Sequence, residues 1–104
     1  MKKLLILGAG QHGEVVKETA EMMNIYIKID FLDDNSKKAI GKIDEYSKKS
    51  KEYNELFVAI GNNELRMNLL QNIEKKGIKI ATIIHPKTII SKSATIKNGT
   101  IIEA

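Results

Sequence analysis

The chain opens on an apolar run, Leu4 to Leu7, that is bounded by lysines on one side and glycines on the other. A short continuous run with no polar alternation predicts a strand buried on both faces, as in a parallel sheet. From Glu14 to Met23 the pattern changes. Val15, Val16, Thr19, Ala20 and Met23 recur at helical spacing, with Lys17, Glu18 and Glu21 on the other face, and Asn24 is placed to cap the end. Ile25, Ile27, Ile29 and Phe31 then alternate with Tyr26, Lys28 and Asp30, which predicts a second strand with one face partly exposed. Asp33-Asp34-Asn35-Ser36 is a turn by composition. Asp44 to Tyr53 reads as a weak, lysine-rich helix.

Leu56 to Ile60 is a third apolar strand, closed by Gly61-Asn62-Asn63-Glu64, where either asparagine can cap the helix that follows. Over residues 64–76, Leu65, Leu69, Leu70 and Ile73 supply a core face, and Gly77 ends the helix. Ile78 to Ile84 reads as a fourth strand. Strand and helix thus alternate through the first 83 residues, and the fold class this predicts is α/β: a small Rossmann-like parallel sheet with helices on both faces.

From Ile84 the period is six. Isoleucine stands at 84, 90, 96 and 102, and Thr88, Ala94 and Thr100 place a small residue at the fifth position of each segment. A fixed six-residue repeat is the mark of a hexapeptide β-helix. Residues 84–104 are therefore expected to form the first coil of a left-handed β-helix. Repeat units of this kind are stabilised by their neighbours, so one coil is expected to be the front of a longer, truncated array.

Composition narrows the function classes. The formal net charge is +4, but there is one arginine, and no aromatic residues interleave with the lysines, so nucleic acid is not the expected partner. There is no cysteine, which excludes disulfides and zinc-thiolate sites. The apolar runs are too short to span a bilayer, and Lys2-Lys3 ahead of four apolar residues does not make a secretory leader, so membrane insertion is not expected and the cytoplasm is.

The candidate chemistry lies in three polar turns. Gly8, Gly10 and Gly13 follow the first strand with the spacing of a dinucleotide-type loop. One glycine makes the turn, one leaves room for a ligand and one lets the helix approach the strand. The free N–H groups of the helix that follows favour an anion. Asp33 lies 20 residues beyond Gly13, where such folds place an acid toward a ribose, although a plain turn aspartate fits equally well. Gly61 and Asn62 come from the third strand. In an open parallel sheet all three turns fall at one edge, the edge that binds ligands.

His12 can donate to phosphate or sugar in either protonation state, or it simply starts a helix facing water. Arg66 is either a ligand contact or a surface ion-pair residue. His85 precedes Pro86, which favours extended backbone at a domain junction.

Four segments, LILGAGQHGEVV (5–16), DFLDDN (30–35), AIGNNELR (59–66) and IIHPKTIISKSATIKNGTIIEA (83–104), resemble the N-terminal part of the sialic acid O-acetyltransferase and bacterial nucleotide-aminosugar N-acetyltransferase family. The resemblance implies a domain that holds the nucleotide of a UDP-sugar. Gly10, Gln11 and His12 would lie near the pyrophosphate and sugar, Asp33 and Asp34 near the base and ribose, and Gly61, Asn62 and Arg66 along the other wall. Gly8 and Gly13 complete the candidate set. It also implies acetyl transfer from acetyl-CoA, with the co-substrate bound mainly outside this chain, to an amino or hydroxyl group of a nucleotide-linked sugar or sialic acid. The full-length protein would be a homotrimer without a metal, and its histidine base would lie beyond residue 104. The composition alone leaves two other readings open: an NAD(P)-binding regulatory module without catalysis, and a structural oligomerisation module.

Overall fold

The computed structural model describes residues 1–85, with Gly99, Ile101 and Ile102. At its centre is β1 (Lys2–Leu7), flanked by β2 (Tyr26–Leu32) and β3 (Glu55–Val58) in a parallel sheet of order β2-β1-β3. Leu4, Leu5, Ile6 and Leu7 are all 0% exposed, as a central parallel strand requires. Alternation along β1 divides the core in two. Leu4 and Ile6 meet Val16 and Ala20 of helix α1 (Gln11–Met23) on one face. Leu5 and Leu7 meet Leu69 and Ile73 of α3 (Asn63–Lys75) on the other. The chain therefore folds as a small Rossmann-like sheet covered on both sides.

α1 begins at Gln11, three residues earlier than the apolar pattern indicates. Gly10 is the cap, with extended backbone, and its carbonyl accepts from Glu14 N–H at 3.0 Å. Gln11, His12 and Gly13 therefore form the first helical turn. The helix ends where expected, at Asn24 in the left-handed conformation (φ 55°).

β2 departs from simple alternation. Its pairing with β1 shifts between Lys2↔Tyr26 and Lys3↔Lys28, so Ile27 is an extra residue. This bulge turns Tyr26 toward the same core cluster as Ile29 and leaves Ile27 68% exposed.

The weak helix expected over 44–53 is broken. A 3₁₀ turn (Ile43–Glu45) leads to a single α-turn, α2 (Tyr46–Lys49), and a second 3₁₀ turn (Ser50–Glu52). Its apolar anchors are few: Tyr46 is buried, and Ile43 and Tyr53 pack at the margin of the second core. β3 ends at Val58, although Ala59 N–H still donates to Leu7 C=O at 2.8 Å.

The strand expected over 78–84 is reduced. Leu56 and Ile80 form an isolated parallel bridge, and the next regular piece is β4 (Ile83–Ile84). β4 pairs in parallel with β5 (Ile101–Ile102), Ile83 opposite Ile101 and Ile84 opposite Ile102. The two partners of each pair are 18 residues apart, the length of three six-residue segments. The body of the expected coil, 86–98, 100 and 103–104, lies outside the described residues.

Candidate functional site at the carboxyl edge of the sheet

β1 sends its chain to β2 on one side while β3 lies on the other, so the loops that follow β1 and β3 separate at the sheet's carboxyl edge. This is where open α/β sheets bind ligands. A cleft of about 280 Å³ opens there. Gly8 and Gly10 form its floor on the β1 side, Asp33, Asp34 and Asn35 one wall, and Ala59, Ile60 and Gly61 the other. Ile43 and Leu65 add apolar surface.

The candidate residues divide by what they touch. Gly8 has φ +110°, and a Cβ there would lie 2.4 Å from the Ala59 carbonyl oxygen. A Cβ on Gly13 would lie 2.0 Å from the Gly8 carbonyl oxygen. These two glycines shape the loop and seat the helix against the strand. Gly10 and Gly61 differ: nothing lies within 4 Å of a Cβ built on either. The space over Gly10, at the start of α1, is open to a guest.

Asp33 ties its wall to the glycine loop. Its Oδ2 accepts from Ala9 N–H at 2.8 Å, in the glycine loop. Its Oδ1 accepts from Asn35 N–H at 2.8 Å and Ser36 N–H at 3.0 Å, closing its own turn. The Ala9 bond first, then the Asn35 and Ser36 bonds, hold its carboxyl below the usual aspartate value, against a smaller opposing effect of burial. Asp33 is thus a turn residue that also lines the cleft and fixes the glycine loop. Asp34 accepts from Ile43 N–H at 3.0 Å through Oδ1, which brings the 43–52 segment to the cleft.

Of the other candidates, Gln11 and His12 are exposed in the first turn of α1, beside the cleft rather than in its lining. Asn62 caps α3, its Oδ1 accepting from Leu65 N–H at 3.0 Å. Arg66 donates to Asn63 Oδ1 at 2.6 Å and does not line the cleft. The sequence reading missed Asn35, Ile43, Ala59, Ile60 and Leu65. Leu65, expected on the core face, is 44% exposed and borders the cleft. Its position immediately after the cap residues was the available signal, since the first turn of a helix at the carboxyl edge overlooks the loop site.

This arrangement defines the class: a Rossmann-like domain with a glycine loop, an acidic turn and an open cleft at the switch point of its strand order. Residues 3–73 match the family model for the PglD N-terminal domain, and the chain belongs to that family. It is 34% identical to UDP-N-acetylbacillosamine N-acetyltransferase of Bacillus subtilis (strain 168), over all of this chain and 52% of that protein. Among solved structures it is similar to the acetyltransferase domain of PglB from Neisseria gonorrhoeae FA1090 in complex with acetyl coenzyme A, with a TM-score of 0.86 and 36% identity over 95% of this chain and 51% of that one. It is also similar to a mutant of GDP-perosamine N-acetyltransferase from Caulobacter crescentus in complex with CoA and GDP-perosamine, with a TM-score of 0.83 and 26% identity over 98% of this chain and 51% of that one. The chain spans about half the length of these relatives. No helix among the described residues is long and apolar enough to cross a membrane.

Proposed function

We propose that this chain is the substrate-nucleotide-binding portion of an acetyl-CoA-dependent N-acetyltransferase acting on a nucleotide-linked aminosugar. The observation that carries the reading is its end-to-end match to about half of transferases whose names specify a UDP- or GDP-linked amino sugar. The cleft agrees with that role. The open floor at Gly10 and the free N–H groups of the first turn of α1 suit a diphosphate. Asp34, Asn35 and the apolar pair Ile43 and Leu65 offer polar and apolar contacts to a nucleoside. Asp33 has both carboxylate oxygens engaged by loop N–H groups. The relatives named above act on nucleotide-linked sugars, which favours this reading over an NAD(P) module.

In the reaction proposed, the acceptor amine attacks the thioester carbonyl, its proton passes to a base, and the CoA thiolate leaves. This chain's part is to hold the nucleotide end. No residue within 1–104 is assigned as the base. The proposal divides the chain at residue 83, with 84–104 opening a β-helix that carries the remaining chemistry. The spacing of the β4–β5 pairing supports that division. A homotrimer, a cytoplasmic location and the N-acetyl rather than O-acetyl choice belong to the same proposal.

The test is CoA release by the full gene product from acetyl-CoA and a UDP- or GDP-linked aminosugar. Turnover is expected only with the nucleotide-linked acceptor. Equal turnover of the free aminosugar would overturn the role given to the cleft.

A further inference from the structure

Among the described residues, the charged side chains that line the cleft are Asp33 and Asp34, both acidic. Glu14 adds a third carboxylate in the first turn of α1. A diphosphate seated over Gly10 would meet Asp33 and Asp34 with Glu14 nearby, and the described lining offers it no side-chain cation. The partial positive charge of one helix end does not offset that. A cation close to the start of α1 is Lys38. Its ammonium bonds Glu14 Oε1, one turn from the Gly10 cap. Its backbone is held close by: Lys38 N–H donates to Ser36 Oγ at 3.2 Å, and Ser36 N–H in turn donates to Asp33. Arg66, on α3 outside the lining, donates to Asn63 Oδ1.

We propose that Lys38 is a diphosphate-binding residue held in reserve by Glu14. This rests on the nucleotide-binding reading above and adds to it the residue that makes the site tolerate the charge of its ligand. The Lys38–Glu14 pair is largely exposed, with side-chain exposures of 63% and 34%, and pairs of that kind are weakly held. One helical turn rises about 5.4 Å, a distance a lysine side chain covers by changing rotamers. When a diphosphate occupies the N-terminus of α1, Lys38 moves toward it or bridges it to Glu14. Glu14 thus acts as the competing anion, and the pair sets affinity for charge at this position.

The experiment is calorimetric titration of the full gene product with UDP and with GDP, for the parent, for Lys38→Gln, Lys38→Arg and Glu14→Gln, and for the double variant Lys38→Gln/Glu14→Gln. Lys38→Gln is expected to weaken the nucleotide the parent binds by about tenfold, as loss of a charge-assisted bond does. Lys38→Arg keeps most of the affinity, and Glu14→Gln raises it, because the competitor is gone. Thermal melting of each variant monitors the fold. If Lys38 served only to neutralise Glu14, the double variant Lys38→Gln/Glu14→Gln would recover at least the parent affinity, and that result overturns the proposal. Parent-like affinity in Lys38→Gln overturns it too, while leaving the nucleotide-binding reading intact. A parent that binds neither nucleotide overturns both.

Discussion

Asp33 does at the scale of one residue what the fold needs at its ligand edge. Three N–H groups, from two loops, converge on one carboxylate. Asp33→Ala is expected to lower stability by about 1–2 kcal/mol, read by urea unfolding, since it leaves those donors without their acceptor. Because the folded carboxyl titrates below its unfolded value, its contribution is present above the unfolded value and is lost as pH falls through the folded one. Acid unfolding of Asp33→Ala should therefore show a shallower loss of stability with falling pH than the parent. The two glycine types separate in the same way. Gly13→Ala places a methyl 2.0 Å from a backbone oxygen and should cost about 3 kcal/mol or more. Gly10→Ala has space around it and an ordinary φ of −79°, so its melting temperature should stay near that of the parent while nucleotide affinity falls.

Elements were legible where one face decided them. Leu4–Leu7 read as a buried strand because nothing polar interrupts it, and it is the strand with both neighbours in the sheet. Leu5→Ala should cost about 3 kcal/mol, within the range for buried leucines, measured by denaturant unfolding. Asn24 and Asn62 read as caps because their side chains and left-handed tolerance do specific jobs at helix ends.

What was not legible depended on contacts distant in sequence. At the bulge in β2, Tyr26 donates to Glu55, a 3% exposed carboxylate that also meets Lys2 at 3.6 Å and Lys79 at 3.4 Å. No alternation pattern in residues 25–31 contains that information. Burial first, and then the hydrogen bond and charge of Glu55, raise the Tyr26 phenol well above its ordinary value of 10.0. Burial, followed by the hydrogen bond to Asp30, does the same to Tyr53. A group whose folded value is raised stabilises fully below its unfolded value and loses that contribution as pH rises. Stability should therefore begin to fall above pH 10.0, and Tyr26→Phe should weaken that alkaline dependence in a melting series.

At the scale of the whole molecule, the sheet and its two helices form a platform, and the three turns at its carboxyl edge make the cleft. The edge was legible because strand–helix alternation forces those turns to one side. The apolar lining was not, because Leu65 reads as core in one dimension, and Ile43 reaches the cleft only once the 43–52 segment is in place. The amino edge behaves differently: there Glu55, Tyr26 and the lysines hold the strands together.

The central claim is that the cleft receives a nucleoside diphosphate and not a dinucleotide. The most direct measurement is isothermal titration of the full gene product with UDP, GDP and NAD in parallel, repeated with Asp34→Ala. The account expects saturable heat with UDP or GDP, weakened by Asp34→Ala, and none with NAD. Saturable binding of NAD with silence from both diphosphates would contradict it and return the glycine loop to a dinucleotide role.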